Sequence, residues 1–367
     1  MNETISKAIN LLRFPLACLI VIKHYYTPDI SADIFGGEVY NFIGVFVTNV
    51  FTAVPVPLFM MISGYLYFNK CNLSEGFGRE VYINKTRSRI KSLLIPYLIW
   101  NLLVFLFFTV GQSLTAGSEV MQKDGYKALA GYEMIDYIKN FWALDSTGMP
   151  IDGPLWFIRD LFIISLFSPI IFYGIKYLRW FFLLIIVVLV YTHVAFEIPY
   201  IDIKYHIGIA EAYFIMGASC MLLSPELPTK LIDKKIFLVI FIFALIGMLG
   251  LMYSKLTDNI QIEKPALLCY IIFGSFLFLA IAELLAERKI QIATWLSTAS
   301  FFLFAIHKPI QVIIRRGVFA IFHPSDEIIL ITLIFIVPTI VILISLGIFY
   351  VIRRWMPWLK CLNGYRL

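Results

Sequence analysis

The chain has 367 residues, of which 60% are hydrophobic and only 15% charged, and its mean hydropathy is +0.85. Soluble domains run to about 45–50% apolar and about 25% charged residues, so a water-soluble enzyme is excluded, and an aromatic content of 16% excludes a disordered chain. What remains is an all-α polytopic membrane protein with the lipid bilayer as its solvent. The net charge of +6 is an orientation signal rather than a nucleic-acid footprint, and no nucleic-acid partner is expected.

Ten apolar runs approach the ~20 residues that span a bilayer, and they predict a single integral membrane domain over 1–367. In chain order the runs are 8–27, 42–68, 92–112, 155–174, 180–196, 207–223, 236–254, 266–285, 297–314 and 327–352. The first carries Arg13 and Lys23 and lacks a small-residue cleavage site, so it reads as a retained helix rather than a signal peptide. The second and tenth are long and contain Pro55, Pro57 and Pro338, so they are expected to tilt or kink.

With ten spans and a cytoplasmic N-terminus, the cytoplasmic segments hold 18 Lys and Arg and the outer segments 8. This positive-inside bias predicts that both termini are cytoplasmic. The largest outer loop, about 113–153, is expected to carry specificity, as loops do. Cys18, Cys71, Cys220, Cys269 and Cys361 form no CxxC pair, and no two histidines are spaced i, i+4, so neither a disulfide framework nor a metal site is expected.

Ionisable residues at bilayer depth are costly and are functional candidates by default. Arg13 and His24 are eleven residues apart, which is close to three full helical turns. Both therefore project from one face, roughly 16–17 Å apart along the axis. One face presents a fixed cation toward the cytoplasm and a titratable base toward the outside. Trp156, Arg159 and Asp160 share another helical face, and the ~100° between Arg159 and its neighbour Asp160 leads each to be expected to pair elsewhere. Glu211, a buried carboxylate, needs a partner, with Arg159 a candidate. His307 and Lys308 lie in the ninth run, followed by Pro309. The basic stretch from Lys85 to Lys91, including Arg89, is either a positive-inside anchor or a cytoplasmic phosphate site.

These segments together resemble the membrane-bound acyltransferase family 3, which includes O-acetyltransferases of polysaccharides and envelope glycans. Arg13 with ten residues before His24 is similar to the family's R-x10-H. Pro57-Leu-Phe-Met-Met-Ile-Ser-Gly-Tyr65 is similar to its F-x-I-S-G-F stretch, and Arg89-Ile-Lys-Ser-Leu-Leu-Ile-Pro-Tyr97 to its R-x-x-R-L-x-x-P-Y segment. Leu155-Trp-Phe-Ile-Arg-Asp-Leu161, and Phe304-Ala-Ile-His-Lys-Pro309 beside the family's Y-L-L-H-x-P, complete the likeness. Ser92 stands where the family often has its second arginine, and no soluble domain is expected after Arg353.

The resemblance implies transfer of an acyl group, acetyl from acetyl-CoA by family frequency, to a hydroxyl of a glycan or glycolipid acceptor in a bacterial cytoplasmic membrane. It implies that Arg13, Arg89 and Lys91 hold the donor's phosphates, while His24 acts as general base or as a transient acyl carrier. Asp160 or Glu211 would orient the imidazole. Arg159 would stabilise the oxyanion or bind the acceptor, with Trp156 and His307 on the acceptor side. A flippase for a lipid-linked glycan would use the same intramembrane charges as a pathway but would favour repeat symmetry, which the sequence lacks. A non-catalytic membrane sensor would make His24 dispensable.

Overall fold

The computed structural model describes residues 3–25, 37–114, 132–142, 148–191, 195–198, 203–206 and 209–365. Most of the outer loop over 113–153 and the greater part of the first outer loop therefore lie outside the described residues. The helices are α1 (Glu3–Lys23), α2 (Glu38–Phe68), α3 (Arg79–Gly111), α4 (Met134–Lys139), α5 (Trp156–Leu166), α6 (Ser168–Leu178), α7 (Trp180–Tyr191) and α8 (Ile209–Leu223). They continue as α9 (Lys234–Thr257), α10 (Ile260–Glu287), α11 (Thr294–Phe322) and α12 (Glu327–Trp355). A short antiparallel hairpin pairs Ala195–Ile198 (β1) with Ile203–His206 (β2).

Among the described residues, seven helices are long and apolar enough to cross a membrane: α1, α2, α3 and α9 to α12. The bent pair formed by 153–166 and α6 makes an eighth if it is one span, while α7 and α8 are apolar but shorter. The multi-pass helical class follows directly from these lengths.

The fourth apolar run is not one helix. It breaks at Phe167, and the two parts meet at 63°. Pro169 has no amide hydrogen to continue the ladder and occupies the first turn of α6, a position that tolerates it. The second run is interrupted in the same way. Its α-helical start, Glu38–Gly44, passes into a π segment, Val45–Val50, and a 3-10 turn, Phe51–Ala53, before Pro55 starts the regular stretch. Buried Thr48 donates its hydroxyl hydrogen to the Gly44 carbonyl at 2.7 Å, and buried Thr52 donates to the Thr48 carbonyl. These side chains replace part of the lost backbone pairing.

The chain forms two compact units. The first comprises Met1–Glu75 and Tyr213–Phe349. In it α1 packs against α2, α10 and α11. Ala17, Val21 and Tyr25 of the α1 end meet Tyr40, Leu303, Leu330, Ile334, Val337 and Val341 in one buried apolar cluster. Elsewhere α2 and α8 touch through glycine. A Cβ on Gly64 would strike the Phe214 carbonyl, and one on Gly217 would strike the Met61 carbonyl. Without a strong hydrophobic drive between helices in lipid, such close backbone approach supplies the packing energy.

The second unit comprises Gly76–Ala212 and Tyr350–Leu367. The turn Pro357–Asn363 docks on α3, where the Trp100 indole donates to the Leu362 carbonyl at 2.8 Å. Gly364 there has a φ of +62° and lies against the Ser92 carbonyl, so this position suits glycine twice over.

Gly64→Ala and Gly217→Ala are each expected to lower the thermal unfolding midpoint in detergent, by the equivalent of about 1–3 kcal/mol from forced overpacking. Gly317→Ala on α11, whose Cβ would meet nothing within 4 Å, is the matched control and should leave the midpoint unchanged or raise it. Equal behaviour of all three variants would remove glycine contact as the reason α2 and α8 approach.

Candidate active site

In the first unit, α1 keeps its helical hydrogen bonding past its last regular residue. The His24 amide donates to the Ile20 carbonyl at 3.3 Å. Pro15 is accommodated inside the helix, so the Arg13–His24 spacing is carried on one continuous element, as expected. Both side chains are half-buried.

Opposite His24 stands His307 of α11. The two imidazole centroids are 5.3 Å apart and tilted by 32°. His307 is fully buried at 0% exposure. Its Nδ1 lies 2.6 Å from the Phe304 carbonyl, three residues back on the same helix. A carbonyl can only accept, so Nδ1 carries the proton and the ring is held in one tautomer. Nε2 is then a lone pair, and it has no hydrogen-bond partner among the described residues. The structure thus brings together two histidines that lie 283 positions apart in the sequence, one of them a buried base with its basic nitrogen open.

Two further residues of α11 fix this juxtaposition, and sequence reasoning passed over both. Gln311, one turn beyond His307 and 2% exposed, donates from Nε2 to the Val21 carbonyl at 3.1 Å. Arg315, another turn on, donates to the Tyr25 carbonyl at 3.3 Å. Carbonyls in the last turn of a helix have no partner within it and carry its negative dipole end, so an amide and a guanidinium are suited to them. The available signal was the i, i+4, i+8 stripe of polar residues on an otherwise apolar helix.

The second unit holds the remaining candidates. Arg159 and Asp160, both buried, pair with each other: Nε donates to Oδ1 at 2.8 Å. The mutual pair was not expected, and it forms because a long arginine side chain can curl back across the ~100° between adjacent positions; the expected further partners are present for Arg159. Arg159 also donates to the Trp142 carbonyl and, at 2.7 Å, to the Gly148 carbonyl. Its guanidinium carbon lies 5.3 Å from the Trp142 ring centroid. These bonds tie α5 to the segment around 142–148. Close by in the same unit, Asn101 donates to the Tyr97 carbonyl at 2.9 Å and accepts from the Asp152 amide at 3.2 Å.

Trp156 is half-buried at the start of α5, and Glu211 is buried in the first turn of α8. Arg89, half-buried, ends the regular first part of α3, and exposed Lys91 lies in the π segment Ile90–Leu94 that follows. Among the described residues no group of three His, Cys, Asp or Glu is placed to hold a metal ion.

The family model for an acyltransferase domain matches residues 6–350, nearly the whole chain. The chain belongs to acyltransferase family 3. A stretch of 172 residues, 47% of this chain, is 27% identical to the succinoglycan biosynthesis protein ExoH of Rhizobium meliloti (strain 1021) and covers 43% of that relative. The chain thus matches less than half the length of this curated relative. No solved structure matches. The motif residues that carried the resemblance all fall within the matched range.

Arg159→Met should lower the unfolding midpoint with no substrate present, by the equivalent of about 3–5 kcal/mol, since it leaves the buried Asp160 without this partner. The double variant Arg159→Met/Asp160→Leu should recover part of that loss. An unchanged midpoint for the single variant would show that the pair does not hold the α5 region.

Proposed function

We propose that this family member transfers an acyl group, acetyl from acetyl-CoA, to a hydroxyl of a glycan or glycolipid in the bacterial cytoplasmic membrane, as a ten-span protein with both termini in the cytoplasm. The observation that carries the reading is the His24–His307 pair, with Nε2 of His307 an open buried base. A glycan acceptor is favoured by the relative, a succinoglycan biosynthesis protein. The ten spans rest on the correspondence of each apolar run with a helix or bent helix pair, the short α7 and α8 included.

In this reading Arg13, Arg89 and Lys91 are the cations for the donor's phosphates, and the α1 face leading from Arg13 to His24 guides the pantetheine arm. Guanidinium and ammonium groups suit a polyphosphate. The acceptor hydroxyl gives its proton to an imidazole of the pair as its oxygen attacks the thioester carbonyl. The carbon–sulfur bond breaks, and the departing thiolate takes that proton, leaving an ester and free CoA. His24 serves as the base, or it carries the acyl group transiently while His307 takes the hydroxyl proton. Rings 5.3 Å apart permit either division of work.

The test uses purified protein in lipid nanodiscs with labelled acetyl-CoA. Saturable donor binding is expected, weakened several-fold by Arg89→Ala and nearly unchanged in His24→Ala. Transfer should fall by about 10²–10⁴-fold in His24→Ala, the range for loss of a general acid–base group. Folded wild-type protein that binds no acetyl-CoA would sink the reading.

A further inference from the structure

The His307 side chain is not the only buried acceptor left open on its helix face. Gln311 uses Nε2 to reach the Val21 carbonyl, which fixes the amide orientation because a carbonyl cannot donate. Its Oε1 is therefore the free end, and it is buried without a hydrogen-bond partner among the described residues. His307 Nε2 is in the same condition. Residues four apart on a helix are neighbours on one face, with Cβ atoms about 5–6 Å apart. The helix thus carries two adjacent buried acceptors, with His307 beside His24, and neither has a donor among the described residues.

An unmet buried acceptor costs about 1–3 kcal/mol, so a ligand supplying two donors gains at both positions. A lone alcohol supplies one. A sugar with hydroxyls on neighbouring ring carbons supplies two, at a separation smaller than the ~5.4 Å of one helical turn. The Arg315 bond to the Tyr25 carbonyl lies a further turn away.

We propose that the acceptor site recognises a vicinal diol: one of two neighbouring hydroxyls donates to Nε2 of His307, beside His24, and the other donates to Oε1 of Gln311. Gln311 is then a specificity residue that selects the ring position and rejects acceptors lacking the adjacent hydroxyl. The inference rests on the acyl-transfer reading for the identity of the site, but binding tests it apart from catalysis.

The experiment measures binding of methyl glucoside and methyl galactoside, and of their monodeoxy counterparts, to the full chain in nanodiscs by saturation-transfer NMR. Acetylation of the same panel is followed separately. For wild type, removal of one particular hydroxyl should weaken binding about tenfold, the size expected for a buried acceptor left unpaired. Gln311→Met and Gln311→Glu both remove the amide N–H that bonds Val21, and the unfolding midpoint of each reports what that bond holds. Only Gln311→Glu keeps an acceptor oxygen, so it should retain the preference that Gln311→Met abolishes.

Equal loss of the preference in both variants would assign Gln311 to holding α11 on α1 and overturn the proposal. So would equal binding of parent and deoxy sugars by wild type, as expected if water fills the two positions, or binding of none of the panel. Discriminating binding without any acetylation would leave the diol site standing and remove the acyl-transfer reading instead.

Discussion

The end of α1 is the point on which the first unit depends. A helix that stops inside an apolar medium exposes carbonyls that water cannot reach. Here the solution comes from a distant part of the chain: Gln311 answers the Val21 carbonyl and Arg315 answers the Tyr25 carbonyl, each across 290 positions. Those bonds set the axial register of α11 against α1. His307 lies one turn before Gln311, so the same register brings its ring to His24. The apolar cluster of Ala17, Val21, Tyr25 and Leu303 surrounds the same join. Packing there is non-directional and would tolerate a small slide, whereas two hydrogen bonds to particular carbonyls do not.

The buried polar groups divide by how their bonds are used. Arg159 commits its donors to Asp160 and to the carbonyls of Trp142 and Gly148, and stacks near the Trp142 ring. That pattern ties α5 to Trp142 and Gly148, which precede it in the chain. Nε2 of His307 and Oε1 of Gln311 are the opposite case, buried acceptors with nothing to accept from among the described residues. Native proteins leave few such groups, and the ones they leave call for an explanation. In a family whose activity is acyl transfer, an open imidazole nitrogen paired with a second imidazole has an immediate chemical use.

Much of this was legible in the sequence. Composition gave the membrane class, and each long helix overlaps one of the apolar runs, although α3 starts at Arg79 rather than 92 and α11 continues to Phe322 rather than 314. Arg13 and His24 were readable as one face because an α-helix fixes the angle between positions eleven apart, and the helix is unbroken between them. What pattern could not supply was tertiary register. Nothing local joins His24 to His307 or Val21 to Gln311, and the ~100° rule for adjacent positions misjudged Arg159 and Asp160 because it describes Cβ directions, not the reach of a long side chain. Gln311 escaped notice for a related reason. An uncharged amide in an apolar run carries little cost at sequence level, and only the fixed orientation of its two ends makes its oxygen conspicuous.

The prolines show how local chemistry and the apolar solvent act together. Each removes a backbone donor, and in a membrane the carbonyl it strands must find another partner or an opened geometry. At Pro55 the preceding turns of α2 relax into π and 3-10 hydrogen bonding, with Thr48 and Thr52 bonded back to the chain. At Pro96 the ladder of α3 widens into the π segment Ile90–Leu94, and Gly364, a residue without a side chain, lies against the stranded region at Ser92. At Pro169 the helix gives way altogether and bends by 63°. A turn that already carries threonine hydroxyls survives as a distorted helix, and one that another segment covers closely does too. At Leu166-Phe167-Ser168 the Leu166 carbonyl takes a bond from the Tyr82 hydroxyl at 3.3 Å, outside its own helix, and there the chain turns.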